Sequence, residues 1–190
     1  MHDPRTEPSE RPGREPVFTA PAAALWLAGL MILAFGLQLL APAGLLEALA
    51  YAPSPGLLSR PLTLFSAIWL HGGWGHLALN AAFALAFATP VARLFGAGLR
   101  GGVCLFAYFL ACGALGNVGF GLIHTGQSLG LIGASGGVSG LAAGAARIVG
   151  GEGRIGGFRS PFVVSMGGAW ILSNLVVALA GGALARISLP

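Results

Sequence analysis

The sequence predicts an all-α fold, a polytopic bundle of about five transmembrane helices, and three observations carry that prediction. Of the 190 residues, 55% are hydrophobic and only 8% charged, whereas a soluble domain carries about a quarter charged residues; this chain could not coat a globule with polar surface. The charges leave four long gaps, Pro16–Leu46, Pro61–Ala92, Gly101–Ala146 and Ser160–Ala185, and a helix crossing the hydrocarbon core needs about 20 apolar residues. No period-2 alternation of the kind a membrane barrel shows is visible. Disorder is excluded by the same hydrophobicity.

The elements follow in order. Residues 1–18 are rich in Pro, Glu and Arg and read as a short disordered cytoplasmic tail; the apolar stretch after them is too long for a cleavable signal. Residues 19–190 form one transmembrane domain. The first span is expected at about 20–41 and the second at 74–95. The third gap is long enough for two spans, 101–120 and 133–150, broken at Gly121–Ser128 where polarity rises. The fifth is expected at 161–183. With the tail inside, Arg5, Arg11, Arg14, Arg93, Arg100, Arg147, Arg154 and Arg159 fall on the cytoplasmic side, and only Arg60 and Arg186 outside. That split fits the positive-inside rule. The Ala-, Gly- and Arg-rich, Lys-free composition suggests the inner membrane of a GC-rich bacterium.

The net charge of +4 does not point to nucleic acid, because the ten basic residues, all arginine, form no dense cluster. Cys104 and Cys112 lie about 12 Å apart along one helix, too far to bridge, and read as small packing residues.

A polar side chain inside a span needs something to satisfy it, so it marks a candidate site. Two clusters stand out, both on the outer side. The first runs from His71 through His76 to Asn80. His76 and Asn80, four apart, share a helix face, while His71 falls off it and into the loop. Two histidines five apart with no carboxylate nearby are poor metal ligands, but His76 and Asn80 suit hydrogen-bond donors aimed at one point. The second cluster, Gly133 to Gly140, opens the fourth span with Ser135 at a helix start, where unpaired N–H groups and the dipole favour negative charge. Gly136, Gly140 and Gly144 form a stripe that lets a neighbouring helix come close. Ser135 is well placed as a nucleophile whose oxyanion would be met by its own N–H, His76 and Asn80. The Gly-Ala-Ser-Gly-Gly run also matches a nucleophile elbow, but that motif needs a strand in a soluble sheet, which the hydropathy excludes. His124 reads as an ordinary loop histidine.

Together the two motifs resemble the rhomboid intramembrane serine proteases. His71, His76 and Asn80 have the family's H-x4-H-x3-N spacing, Gly133-Ala134-Ser135-Gly136 is its GxSG, and Pro61-Leu62-Thr63 looks like the segment leading into its second span. The resemblance runs from about Arg60 onward. It implies that Ser135 is the nucleophile attacking transmembrane protein substrates in or next to their spans. It further implies that His76 and Asn80 build the oxyanion hole, that His71 supports the site's structure and hydrogen bonding, that Gly133 shapes the approach to the oxyanion, and that Gly136 is a supporting residue. No metal or organic cofactor is implied, and the partners are substrate spans and the lipid bilayer.

In one respect the chain departs from the family. Rhomboids take the serine's proton with a histidine on a sixth helix, in an Ala-His-x-x-Gly setting; here the histidines are His2, His71, His76 and His124, none after Ser135. The segment Trp170–Leu175 looks like the family's penultimate helix. The resemblance also implies a sixth helix against the Gly136–Gly144 stripe. The chain is therefore expected to be a truncated endopeptidase frame. The alternative is an inactive relative that binds transmembrane helices without cleavage.

Overall fold

A computed structural model describes residues 20–53, 56–126, 130–151 and 155–187, with side chains as far as 177. The expected tail and Arg154 lie outside these residues. The helices are α1 (Ala22–Gln38), α2 (Ala43–Leu49), α3 (Thr63–Ser66), α4 (Trp74–Phe95), α5 (Gly98–Ile123), α6 (Ser135–Val149) and α7 (Pro161–Ile187), with a 3-10 turn at Ala67–Trp69. Among the described residues the sole β feature is an isolated antiparallel bridge between Tyr51 and Leu131.

All five expected helices are present, the second with the boundaries expected of it. α4 and α5 are each long and apolar enough to cross a membrane, while α1 and the described part of α7 are shorter apolar helices. α5 starts three residues before the charge gap because an arginine at a helix end does not stop a helix; Arg100 sits in its first turn. α6 starts two residues late because Gly133 takes a positive φ of 124°, which a right-handed helix cannot include.

α6 lies at the centre, packed on α4, α5 and α7, and α1 leans on α4. Ala24, Leu27, Met31 and Phe35 of α1 join Leu77, Ala84, Ala88 and Val91 of α4, Leu105 and Phe109 of α5, and Val138 and Leu141 of α6 in one core. The glycine stripe of α6 corrects an expectation. Its partner is α5, not a later helix. Gly136 faces the backbone of Gly113 and Gly116, Gly140 faces Cys112, and Gly144 faces Tyr108 and Val91. Tyr108 Oη donates to the Gly140 carbonyl at 2.7 Å across this seam. Cys112 packs there as a small residue, and both cysteines are free thiols.

Between α1 and α4 the sequence pattern suggests only a connection, yet the chain folds there into α2, α3 and the 3-10 turn. Helices of seven and four residues are far below the ~12–15 that hold up alone, so tertiary contacts must sustain them. Ser66 Oγ donates to the Leu49 carbonyl (2.7 Å), the Arg60 guanidinium donates to the Ala48 carbonyl, and buried Asn117 of α5 donates to the Leu64 carbonyl (2.7 Å). Tyr51, Leu64 and Ala67 form a second small core against Ala114, Val118 and Leu131.

Candidate active site

α4 and α6 both begin at the same end of the bundle, and this brings the two sequence clusters together. His76, Leu79, Asn80 and Phe83 of α4, Ser135 and Val138 of α6, and Trp170, Ser173, Asn174 and Val177 of α7 line one cleft of about 280 Å³. The arginines whose side chains are described divide by end. Arg93, Arg100, Arg147 and Arg159 lie at the far end of the helices, while Arg60 lies on the cleft side, tied to α2.

Ser135 is the first residue of α6 and is exposed to the cleft. Within that first turn the earliest helical bond runs from Val138 N–H to the Ala134 carbonyl, so the N–H groups of Ser135, Gly136 and Gly137 have no acceptor within the helix. No capping side chain competes for them. They form a rigid donor set at the positive end of the helix dipole. Ser135 Oγ has no hydrogen-bond partner among the described residues.

His76 is held in one tautomer. Its Nδ1 accepts the Gly72 N–H at 3.3 Å, which leaves Nε2 carrying the proton as a donor. That edge of the ring faces Gly133: a Cβ built on Gly133 would lie 2.8 Å from both Cε1 and Nε2. The glycine thus answers two demands, a left-handed backbone and room for the His76 ring. Gly133 is itself fixed by donating its N–H to the Ala67 carbonyl (2.9 Å).

Asn80 is nearly buried, and its Nδ2 donates one hydrogen to the His76 carbonyl at 3.0 Å. An amide has two such hydrogens, so one remains for the cleft. His71 lies in the loop, as its spacing predicts, fully buried. Its Nδ1 meets the Trp69 carbonyl at 3.3 Å, and its ring stands edge-on to that of His76 at 5.3 Å. Burial, with the facing His76 as a second cause, holds its pKa below the usual imidazole range despite the Trp69 bond. Burial therefore favours the neutral ring, and the buried Nε2 has no partner among the described residues. Gly136 lies in the seam with α5, against Gly113 and Gly116. His124 ends α5 with its ring stacked on Phe120 at 4.1 Å, and it is not part of the cleft lining.

Two contributors escape a motif search. Gln38, at the end of α1, clamps the His71 backbone from both sides: its Nε2 donates to the His71 carbonyl (2.7 Å) and its Oε1 accepts the His71 N–H (2.8 Å). A lone amide in an otherwise apolar window was the available signal. Removing it in Gln38→Leu strands both backbone groups, and a buried unsatisfied group costs about 1–3 kcal/mol. The expected outcome is a loss of about 2–3 kcal/mol in thermal unfolding, with Gln38→Glu, which keeps the acceptor, falling between. Equal stability of Gln38→Leu and the parent would contradict the clamp. The other contributor is Trp170 of α7, whose indole donates to Ser139 Oγ (3.0 Å) and stands edge-on to Phe83 and Phe87 (5.1 and 5.3 Å). Its signal was the spacing of Trp170, Ser173, Asn174 and Val177, which share one helix face.

A family model of the Rhomboid domain matches residues 59–189, more than half of the chain. The chain belongs to the rhomboid family. No curated protein and no solved structure matches it. The match places both clusters, the α5–α6 seam and the arm of α7 within the rhomboid domain, and the bundle is that of a polytopic helical membrane protein. α1 lies before the matched residues, although Gln38 reaches from it into the site.

Proposed function

We propose that this rhomboid is an intramembrane serine endopeptidase frame in which Ser135 is the nucleophile. The single supporting observation is the convergence of Ser135, His76 and Asn80 on one cleft at one end of the bundle. In this reading Ser135 Oγ attacks a carbonyl in or next to a substrate's transmembrane segment. The negative charge that develops on that oxygen is met by the first N–H groups of α6, by His76 Nε2–H and by the free hydrogen of Asn80. Such preorganised donors are worth about 10²–10³ each in rate. His71, neutral and buried, keeps the His76 ring in place. In this reading the N-terminus is cytoplasmic in a bacterium, as the arginine distribution supports, and the cleft opens on the opposite face of the inner membrane, where water reaches it.

A second reading has its own observation. A serine is a weak nucleophile without an adjacent base, and among the described residues no histidine is hydrogen-bonded to Ser135. A rhomboid that holds transmembrane helices without cutting them would have this geometry. Labelling of the purified chain with a fluorophosphonate separates the two. The expected result is labelling at least tenfold above that of Ser135→Ala. No Ser135-dependent labelling, with retained photo-crosslinking of a transmembrane peptide, would decide for the binder.

A further inference from the structure

Toward the end of the bundle away from Ser135, a groove opens beside α1 and α5. α1 leans on α4 and touches α5 near the start of both helices, where Gly102 faces Ala23. The space between them is a groove of about 910 Å³, lined by Ala22, Trp26 and Leu30 of α1, Gly96–Leu99 at the α4–α5 turn, and Val103, Phe106 and Leu110 along α5. Its lining is apolar from end to end.

Size and charge together select the occupant. From Gly98 to Leu110 the groove runs about 18 Å at 1.5 Å per residue, close to the ~15 Å depth of one leaflet. Charge narrows the choice: the first fifteen residues of the chain carry Asp3, Arg5, Glu7, Glu10, Arg11, Arg14 and Glu15, and burying such charges in an apolar slot is costly. At the mouth, by contrast, stand two exposed arginines, Arg93 in the last turn of α4 and Arg100 in the first turn of α5. Trp26, 68% exposed, adds an indole near headgroup level, where such rings are favoured.

We infer that the α1–α5 groove binds an anionic phospholipid, its acyl chain lying between Trp26 and Phe106 and its phosphate drawn to Arg100 and Arg93. Basic mouths between transmembrane helices select anionic headgroups in this way. The site is independent of whether Ser135 is reactive.

Native mass spectrometry of the full chain, titrated with phosphatidylglycerol and with phosphatidylcholine of identical acyl chains, tests it. The expected result is one phosphatidylglycerol held about tenfold more tightly than phosphatidylcholine. Arg100→Ala is expected to weaken phosphatidylglycerol alone, by about fivefold. Ala107→Phe fills the groove from an exposed position that leaves the fold intact, and is expected to weaken both lipids at least tenfold. Equal affinity for the two lipids, lipid retained in Ala107→Phe, or a dimer whose formation expels the lipid would each overturn the assignment, the last by giving the groove to a second copy.

Discussion

Gly133→Ala is expected to remove Ser135-dependent fluorophosphonate labelling and to destabilise the protein by about 3 kcal/mol, although it adds a single methyl group. The φ of 124° costs a non-glycine residue about 1–3 kcal/mol. Overpacking a tight site adds about 1–3 kcal/mol more, because the new Cβ would sit 2.8 Å from His76 Cε1 and Nε2. The collision can be relieved only by turning the His76 ring, which breaks its bond from Gly72 N–H, or by moving the strand-like segment at Leu131–Gly133, which breaks the bond to the Ala67 carbonyl. Either escape takes a donor away from the cleft. Thermal unfolding and labelling are to be measured on the same preparation. A variant that melts with the parent and labels as well would mean that His76 and Gly133 are not packed as described.

The second large effect is expected at the α5–α6 seam. Gly137→Val would put branched carbon against Phe109, whose Cδ2 and carbonyl oxygen lie 2.6 and 2.9 Å from the position of a Cβ. The carbonyl belongs to a helix backbone and cannot swing away, so the two helices must part. The expected loss is about 3 kcal/mol or more, seen as a lowered unfolding midpoint in detergent. Gly119→Ala is the matched control. It lies on α5, the helix that carries Phe109, with nothing within 4 Å of its Cβ position, and replacing a helical glycine by alanine there is expected to stabilise by about 0.5–1 kcal/mol. Equal and small effects at both positions would show that the seam is loose.

These contrasts explain which parts of the molecule could be read from the amino-acid sequence. The five long helices were legible because membrane burial forbids charge, and a gap between arginines is a direct record of that rule. The same logic sees no difference between leucine and an uncharged amide, so Gln38 and Asn117 passed as members of apolar windows. Yet Asn117 holds the Leu64 carbonyl and Gln38 holds both backbone groups of His71. α2 and α3 were illegible for another reason: too short to have a periodic face, they exist through bonds to residues distant in sequence, such as Ser66 to Leu49. The stripe Gly136–Gly140–Gly144 correctly announced a close neighbour, but small residues do not name their partner. Assigning that partner from family resemblance chose the wrong helix, since Gly113, Gly116 and Cys112 of α5 occupy the face. For the site, the spacing of His76 and Asn80 and the start of α6 at Ser135 were legible. The Gly72 bond that fixes the His76 tautomer was not, because it depends on the loop's course in space.

The Ala67 carbonyl accepts the N–H of Gly133, and the chain runs on from Ala67 through a single turn to His71. The segment that leads into Ser135 and the loop that leads into His76, far apart along the polypeptide, therefore hang from one common bracket. Jostling by the surrounding bilayer would carry both along as a unit instead of changing their spacing, so the alignment of the pair tolerates a soft surround.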